Sequence, residues 1–345
     1  MRVTTDRVCI VMMSAIGDAV HVMPVLHSLK RANPAMHVTW ILQPGPAALV
    51  RGHHLVDEII LFDRSKGVRG FLDIRSQLQA RSFDLVLSLQ VYLKANIITS
   101  FIKAPVKLGF DRARARDLNW LFTTHRVPPH PMQHVQDQYL EFCEWLGAPT
   151  EPVTWGLGPW NQAELDWQRS FYSNLDRPAA AIVIATSKQQ KNWLPERWAA
   201  VCDILYSDFG LQPVLVGGRS AVELEFEQVI MERAEHKPLS ALGNGGLRGL
   251  VGILDGAALV LSPDTGPLHI TVALDRPVVS LIGYSNPKRV GPYRKFGDLM
   301  LDAYGDPGED YPISMENRRE RMSRITVQDV IEKVQVWNST YRGAS

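Results

Sequence analysis

The sequence predicts an α/β protein that contains two doubly wound, parallel sheets. Short apolar runs that suit buried strands alternate with segments whose apolar residues recur at helical spacing, and this alternation occupies both halves of the chain. The chain has 345 residues, of which 46% are hydrophobic and 21% are charged. This length and composition are sufficient for two domains that each bury their own core.

The first half of the chain predicts five strands and four helices. The strands cover 7–13, 37–42, 58–62, 84–89 and 106–110, and the helices cover 19–31, 72–80, 94–102 and 134–146. The last of these helices ends before Gly147, and glycine is a residue typical of the position just past a helix C-terminus. The alternation of strands and helices predicts that the strands pair in parallel.

Prolines and glycines become frequent between residues 147 and 178, as expected for an interdomain connection. We therefore expect an N-terminal domain at 1–160, a linker at 161–178, a C-terminal domain at 179–325, and a final segment, 326–345, whose helix could cross back to the N-terminal domain. The second half predicts strands at 180–185, 213–216, 257–261 and 277–282, and helices at 195–206, 221–234, 247–254, 268–274 and 327–337.

Charge, cysteine content and hydropathy exclude several classes of protein. The net charge of +1 gives no overall field that would attract nucleic acid. Cys9, Cys143 and Cys202 form no metal-ligand motif and suggest no disulfide framework, which is typical of a reducing compartment. The apolar run at the N-terminus is too short for a signal peptide, and no stretch reaches the length of a membrane-spanning helix. These features predict a cytoplasmic protein, and they leave peripheral membrane contact open.

The turn at 264–266 is the strongest local signal of a ligand site. It lies between a predicted strand and a helix that begins near Pro267, where the missing N–H of proline costs nothing. Ligands of open α/β sheets bind at the carboxyl ends of strands, and a helix N-terminus favours phosphate. His269 in the first turn and the basic pair 288–289 favour a phosphate site over the alternative, an ordinary capped connection.

A second strand–turn–helix unit lies near the N-terminus, at 14–18. Asp18 is predicted at the start of a helix, where it could be either an N-terminal cap or a general base. Gly17 suits either a tight turn or the close approach of a ligand to the backbone.

Other polar loops suit a nucleoside diphosphate. Hydroxyls at 186–187, Lys191 and the glycine turn 217–218 all follow predicted strands of the second half. The chain contains no GxxxxGK[ST], no GxGxxG after its first strand and no D-x-D, so a P-loop, a dinucleotide site and a metal-binding carboxylate pair are not expected. Lys191 and the helix dipole would then stabilise a leaving phosphate. The arginine-rich loop 111–117 is either a solvated loop or a site for an anion.

Two of these motifs, SAIGDAV at 14–20 and DTGPLH at 264–269, resemble glycosyltransferase family 9, the ADP-heptose:lipopolysaccharide heptosyltransferases. The resemblance extends over nearly the whole chain, with weaker matches around Lys191 and at 216–218. It implies the GT-B fold, in which two Rossmann-like domains face a central cleft. It also implies an inverting, metal-independent transfer of a heptose or similar sugar from an ADP-sugar to a sugar hydroxyl of the lipopolysaccharide core, without a cofactor.

The resemblance also implies roles for individual residues. Asp18 matches the general base, and Lys191 matches the residue that stabilises the leaving phosphate. The positions that match the donor site are Thr186, Ser187, Lys191, Gly218, Asp264, Thr265, Gly266 and His269. The candidates for the acceptor site are Ser14, Gly17, Arg64, Lys66, Arg112, Arg114 and Arg116. The chain departs from the family at Met12, where a lysine or arginine is usual.

Three alternatives accompany this interpretation. The same fold could use another nucleotide-sugar or a protein or glycan acceptor, it could belong to a nucleotide-sugar epimerase, or it could form a non-catalytic two-lobed binding protein. The preferred hypothesis implies an ADP-sugar donor and a lipid-linked or oligosaccharide acceptor, with no nucleic acid partner. It also places the enzyme in the cytoplasm, where it could contact the inner membrane peripherally.

Overall fold

The computed structural model describes residues 5–343, and the chain divides into two compact units, Met1–Trp155 and Gly156–Ser345. Each unit is built around one parallel sheet of six strands. The prediction of two doubly wound α/β domains is confirmed. No helix within residues 5–343 has both the length and the apolar character needed to cross a membrane.

The sheet of the first unit has the strand order β3-β2-β1-β4-β5-β6. Its strands are β1 (Arg7–Val11), β2 (His37–Leu42), β3 (Glu58–Leu61), β4 (Leu85–Ser88), β5 (Val106–Gly109) and β6 (His125–Arg126). Its helices are α1 (Ile16–Ala32), α2 (Pro44–Val50), α3 (Val68–Gln79), α4 (Leu93–Phe101), α5 (Asn119–Phe122) and α6 (Val135–Leu146). In the central register, Ile10 lies opposite Trp40 on one side and Leu87 on the other.

Helices cover both faces of this sheet. On one face, the apolar stripe of α3, with Ile74 and Leu78, and that of α4, with Ala95 and Ile98, share a core with the strands. Helices α1 and α6 pack against each other in the same unit. Gly70 brings the first turn of α3 against the chain that follows β3, since a Cβ at Gly70 would lie 2.5 Å from the carbonyl oxygen of Asp63.

The sheet of the second unit has the order β12-β11-β10-β7-β8-β9. Its strands are β7 (Ala179–Val183), β8 (Gln212–Val216), β9 (Leu239–Ser240), β10 (Leu259–Pro263), β11 (Val278–Ile282) and β12 (Met300–Asp302). Its helices are α7 (Gln162–Tyr172), α8 (Pro195–Ser207), α9 (Ala221–Arg233), α10 (Gly246–Gly256), α11 (Gly266–Ala273), α12 (Pro287–Val290) and α13 (Val327–Thr340).

The segment 161–178, which the sequence analysis assigns to a linker, contains helix α7 and belongs to the second unit. The side chain of Asn161 caps this helix, and α7 packs against α10. Trp167 lies so close to α10 that a Cβ at Gly249 would approach its ring to 3.2 Å. Arg248 of α10 is paired with Glu164 at 2.6 Å. The prolines and glycines around this segment suggested a linker in the sequence analysis. In the structure, Trp167 and Glu164 of α7 contact α10, so the segment is part of the second unit.

The last helix, α13, also packs on the second unit. Thr326 caps it, and the indole N–H of Trp337 donates to the carbonyl oxygen of Ala258 at 3.1 Å. The return of this segment to the first domain stays a prediction. The short edge strands β6, β9 and β12 and helix α2 were not predicted, because two- and three-residue strands give no pattern and Pro44 and Pro46 suggest a turn.

Candidate active site

In the first domain, Asp18 is the third residue of α1, in the turn that follows the central strand β1. One of its carboxylate oxygens accepts the backbone N–H of Ala15 at 2.8 Å. The other accepts the hydroxyl of Tyr139, on α6, at 3.3 Å. Asp18 is half-buried, so two elements of the domain orient its carboxylate while part of it remains accessible. The predicted position of Asp18 at a helix start is confirmed.

Gln90 fixes the backbone of the same turn. This residue follows β4 and is nearly buried; its amide oxygen accepts the N–H of Met13 at 3.0 Å, and its amide nitrogen donates to the carbonyl oxygen of Ser14 at 3.0 Å. Ser14 is partly exposed, whereas Gly17 is buried. Met12 occupies the position where the motif usually has a basic residue. Its side chain is buried in the core and carries no charge, so it cannot form an ion pair with a ligand.

Tyr139 was not predicted as a site residue, because its contact with Asp18 joins positions 121 residues apart. If Asp18 is the general base that the motif resemblance implies, we expect Tyr139→Phe to lower kcat about fivefold to tenfold and to leave KM unchanged, because a single bond to a charged group is lost. Steady-state kinetics checks this. Tyr172→Phe is the matched control, since that hydroxyl bonds the carbonyl oxygen of Ile253 within the second domain. An equal loss of kcat in both variants would contradict the orienting role.

Arg114 is held in a buried ionic network. Its guanidinium donates two bonds of 2.6 Å to Glu141 of α6 and a third bond to Asp111. Burial opposes the charge, but the bonds to Glu141 and Asp111 outweigh it and raise the pKa of Arg114. The donors of Arg114 bond Asp111 and Glu141 and so attach loop 111–117 to α6. We therefore do not propose Arg114 as an acceptor-binding residue.

We expect Glu141→Gln to reduce the free energy of unfolding by about 2–3 kcal/mol, because the buried guanidinium of Arg114 loses one of its two charged partners and keeps Asp111. Urea unfolding of the whole chain, followed by tryptophan fluorescence, measures the change. Glu58→Gln is the matched control: Glu58 pairs with Arg81 at 2.5 Å, but both side chains are 29% exposed, so about 1 kcal/mol or less is expected. Equal losses in the two variants would contradict the special role of the buried network.

The other basic acceptor candidates are exposed. Arg112 lies over the ring of Trp120, with 4.6 Å between the guanidinium carbon and the ring centroid, and Arg116 lies in the same loop. Arg64 and Lys66 are on a single turn of 3₁₀ helix after β3, where Lys66 is 3.1 Å from Asp73. Their contact with an acceptor stays a prediction.

In the second domain, the structure brings Lys191 and Asp264 together. The ammonium nitrogen of Lys191 is 2.5 Å from a carboxylate oxygen of Asp264, and these residues follow the adjacent strands β7 and β10. Asp264 is nearly buried, whereas the side chain of Lys191 is 19% exposed. An ammonium group has three N–H donors, so Lys191 can keep this bond and still donate to an anion.

Helix α11 begins directly after Asp264. Thr265 is its N-cap residue in extended conformation, and Gly266 and Pro267 form the first turn. The imidazole Nε2 of His269 is 3.8 Å from Asp264. The N-terminus of a helix, a lysine and an imidazole therefore lie close together at the carboxyl edge of the sheet, which is an arrangement suited to a phosphate group.

The loop that carries Lys191 is internally bonded. The N–H of Thr186 donates to the side chain of Asn192 at 2.7 Å, and the Thr186 hydroxyl bonds both backbone groups of Lys188. Ser187 is exposed. Trp193 anchors the end of the loop, since its buried indole donates to the carbonyl oxygen of Ile325 at 3.0 Å. These bonds fix the loop in the conformation that places Lys191 beside Asp264.

The glycine turn after β8 is closed by Glu223, which sequence reasoning missed. The N–H of Gly218 donates to the carboxylate of Glu223 at 2.6 Å, and Glu223 also forms a capping box with Ser220 at the start of α9. Gly217 has a φ of +154°, which residues with side chains rarely adopt, and a Cβ there would lie 2.6 Å from that carboxylate, so the turn favours glycine. A phosphate at Gly218 would have to displace Glu223; the predicted donor contact stays a prediction.

Residues 5–343 contain no group of three His, Cys, Asp or Glu side chains placed to hold a metal ion.

Comparisons with known proteins agree with this arrangement. The chain is 29% identical over 331 residues to the lipopolysaccharide core heptosyltransferase OpsX of Haemophilus influenzae, and the match covers 94% of each protein. Among solved structures, a glycosyl transferase family 9 protein from Veillonella parvula superposes with a TM-score of 0.82 at 25% identity, covering 96% of both chains. Escherichia coli heptosyltransferase WaaC with ADP superposes with a TM-score of 0.75 at 25% identity, covering 96% of this chain and 99% of that one.

These superpositions confirm the GT-B fold class that the motif resemblance implied. A sequence model of glycosyltransferase family 9 (heptosyltransferase) matches residues 71–305. Because this match spans well over half of the chain, the protein belongs to glycosyltransferase family 9 and is a glycosyltransferase.

Proposed function

We propose that this enzyme transfers heptose from ADP-heptose to a sugar hydroxyl of the lipopolysaccharide core, with inversion at the anomeric carbon and without a metal ion. The pairing of Lys191 with Asp264 beside the N-terminus of α11 carries the proposal, because a lysine at a helix start is suited to the diphosphate of a nucleotide-sugar. The name of the Haemophilus influenzae relative and the ADP in the Escherichia coli structure support this donor and this acceptor.

On the donor side, the diphosphate would lie against the first turn of α11. Charge develops on the phosphate oxygen as the glycosidic bond breaks, and Lys191 together with the helix N–H groups would stabilise it. Asp264 holds the Lys191 ammonium in place but does not occupy all three of its N–H donors, so the ammonium can also donate to a phosphate. His269, in the same turn, could contact the phosphate or the sugar.

On the acceptor side, Asp18 would act as the general base. The acceptor hydroxyl gives its proton to the Asp18 carboxylate while its oxygen bonds the anomeric carbon, and the bond from that carbon to the diphosphate oxygen breaks with its electron pair leaving on ADP. Attack from the face opposite the diphosphate inverts the configuration. Ala15 and Tyr139 hold the carboxylate in one orientation.

The test is release of ADP from ADP-heptose, with and without a lipopolysaccharide core acceptor. We expect release that depends on the acceptor, a product of inverted anomeric configuration by NMR, and no change of rate when EDTA is added. Release without acceptor or loss of rate with EDTA would contradict the mechanism. Turnover of a free UDP-sugar would instead favour an epimerase, and tight binding of one ligand without ADP release would favour a binding protein.

We also propose that the enzyme works at the cytoplasmic face of the inner membrane. The reason is that the proposed acceptor is the core of a lipid-linked glycan, whereas the proposed donor is a water-soluble nucleotide-sugar.

A further inference from the structure

The exposed apolar side chains of the first domain concentrate at one edge of its sheet. Within the described residues, Val68 is 75% exposed and Leu121 is 60% exposed, and Leu72, Tyr92, Leu93 and Leu118 are also about half exposed or more. Each of them lies in a segment that follows the carboxyl end of β3, β4 or β5. All strands of this sheet are parallel, so their carboxyl ends lie at the same edge, and these segments begin on one side of the domain.

Contacts between the segments support this grouping. Helix α3 packs against α4, and α4 packs against α5. The N–H of Leu93, at the start of α4, donates to the carboxylate of Asp117 at 2.9 Å, so the start of α4 lies beside the segment that contains Leu118. Val68 and Leu72 are one turn apart on α3 and therefore point in similar directions.

Basic side chains surround these apolar residues. The exposed cations of the same segments are Arg64, Lys66, Arg69, Arg75, Lys94, Arg112 and Arg116. They outnumber the carboxylates of these segments that are not buried, Asp63, Asp73 and Asp117, although the whole chain carries a net charge of only +1. A shallow depression of about 450 Å³ lies at the start of α3, lined by Lys66, Arg69, Leu72 and Asp73.

We propose that this edge of the first domain, which we call the docking edge, binds the surface of an anionic lipid bilayer. Exposed leucines with lysines and arginines interleaved among them suit the headgroup region, where apolar side chains enter the acyl boundary and cations meet lipid phosphates. The inference rests on the proposed function in one respect: the acceptor is lipid-linked, so its core sugars are presented at a membrane.

The second domain provides a contrast. Val222 and Leu224 are also exposed there, but they lie on α9 among Glu225, Glu227 and Glu232. An anionic bilayer would repel this acidic helix, whereas the same lipid charge attracts the docking edge. Charge complementarity therefore favours the first domain as the side that meets the membrane.

The test is co-flotation of the full chain with vesicles of phosphatidylethanolamine and phosphatidylglycerol, compared with vesicles of phosphatidylcholine. We expect binding to the anionic vesicles only, and a clear loss of binding at about 0.5 M salt. Val68→Ser/Leu72→Gln and Arg69→Glu/Lys94→Glu should each lower the partition coefficient at least about tenfold. The control Val222→Ser/Leu224→Gln should bind like the unaltered chain.

Heptose transfer to a water-soluble core acceptor without acyl chains separates this proposal from the proposed function. Transfer should be unchanged in both docking-edge variants. Vesicle binding that is equal in all variants would overturn the proposal. Docking-edge variants that keep vesicle binding but lose transfer to the soluble acceptor would also overturn it, because the edge would then bind the acceptor itself. Vesicle binding that follows the docking edge, without any heptose transfer by the unaltered chain, would reject the proposed function and support the docking edge.

Discussion

An Asp18→Asn enzyme should bind ADP-heptose as tightly as the unaltered enzyme but turn over about 10²–10⁴-fold more slowly, which is the usual contribution of a general base. Asparagine keeps the size of the side chain and an oxygen that can accept the N–H of Ala15, so the turn between β1 and α1 should be preserved. It cannot take a proton from the acceptor hydroxyl. Rates of ADP release at saturating acceptor, together with calorimetric titration of ADP, measure the two effects separately.

The chain offers a matched control for this substitution. Asp329 occupies the same third position in α13, where its carboxylate accepts the N–H of the N-cap residue Thr326 at 2.7 Å. Asp329→Asn should likewise keep an oxygen that accepts this N–H, so it should change helix capping as little as Asp18→Asn does and leave turnover unchanged. Near-normal turnover in Asp18→Asn would remove Asp18 as the base. Equal losses of turnover in the two variants would assign the effect to helix capping.

The local chemistry of the site could be predicted from the sequence, because it depends on short segments. A buried strand, a polar turn and a helix start are recognisable within a few residues of each other, and the parallel sheet then brings such turns to one edge. This reasoning predicted the position of Asp18 and the turn at 264–266. It also predicted Lys191 as a phosphate ligand. The salt bridge from Lys191 to Asp264 was not predicted, because it requires β7 and β10 to be neighbours in the sheet, and the sequence does not reveal the strand order.

The contacts that support the site could not be predicted. Gln90 and Tyr139 reach the first turn from 76 and 121 residues away, and no local pattern indicates such pairs. Arg114 is the clearest case. Nothing in the sequence distinguishes it from Arg112 and Arg116, which lie two residues away on either side. In the fold, Arg114 is buried and paired with Glu141 and Asp111, whereas the other two arginines are exposed.

Lys191→Ala should weaken ADP binding about tenfold to a hundredfold, because a charge-assisted bond to phosphate is lost. The substitution has a second effect in the same direction. Asp264 is nearly buried and would lose the partner at 2.5 Å, so its carboxylate would repel the diphosphate. Calorimetric titration of ADP measures the change, and turnover should fall as well, since Lys191 is also expected to stabilise the leaving phosphate.

Lys188→Ala is the matched control for this loss. Lys188 lies in the same loop, is exposed, and has its ammonium 5.7 Å from the ring centroid of Tyr284. If proximity of a positive charge were sufficient, both variants would weaken ADP binding equally. If instead Lys191 is the phosphate ligand that Asp264 orients, only its removal should do so, and Lys191→Arg should recover part of the affinity because it keeps the charge. Unchanged ADP affinity in Lys191→Ala would contradict the donor site proposed for this domain.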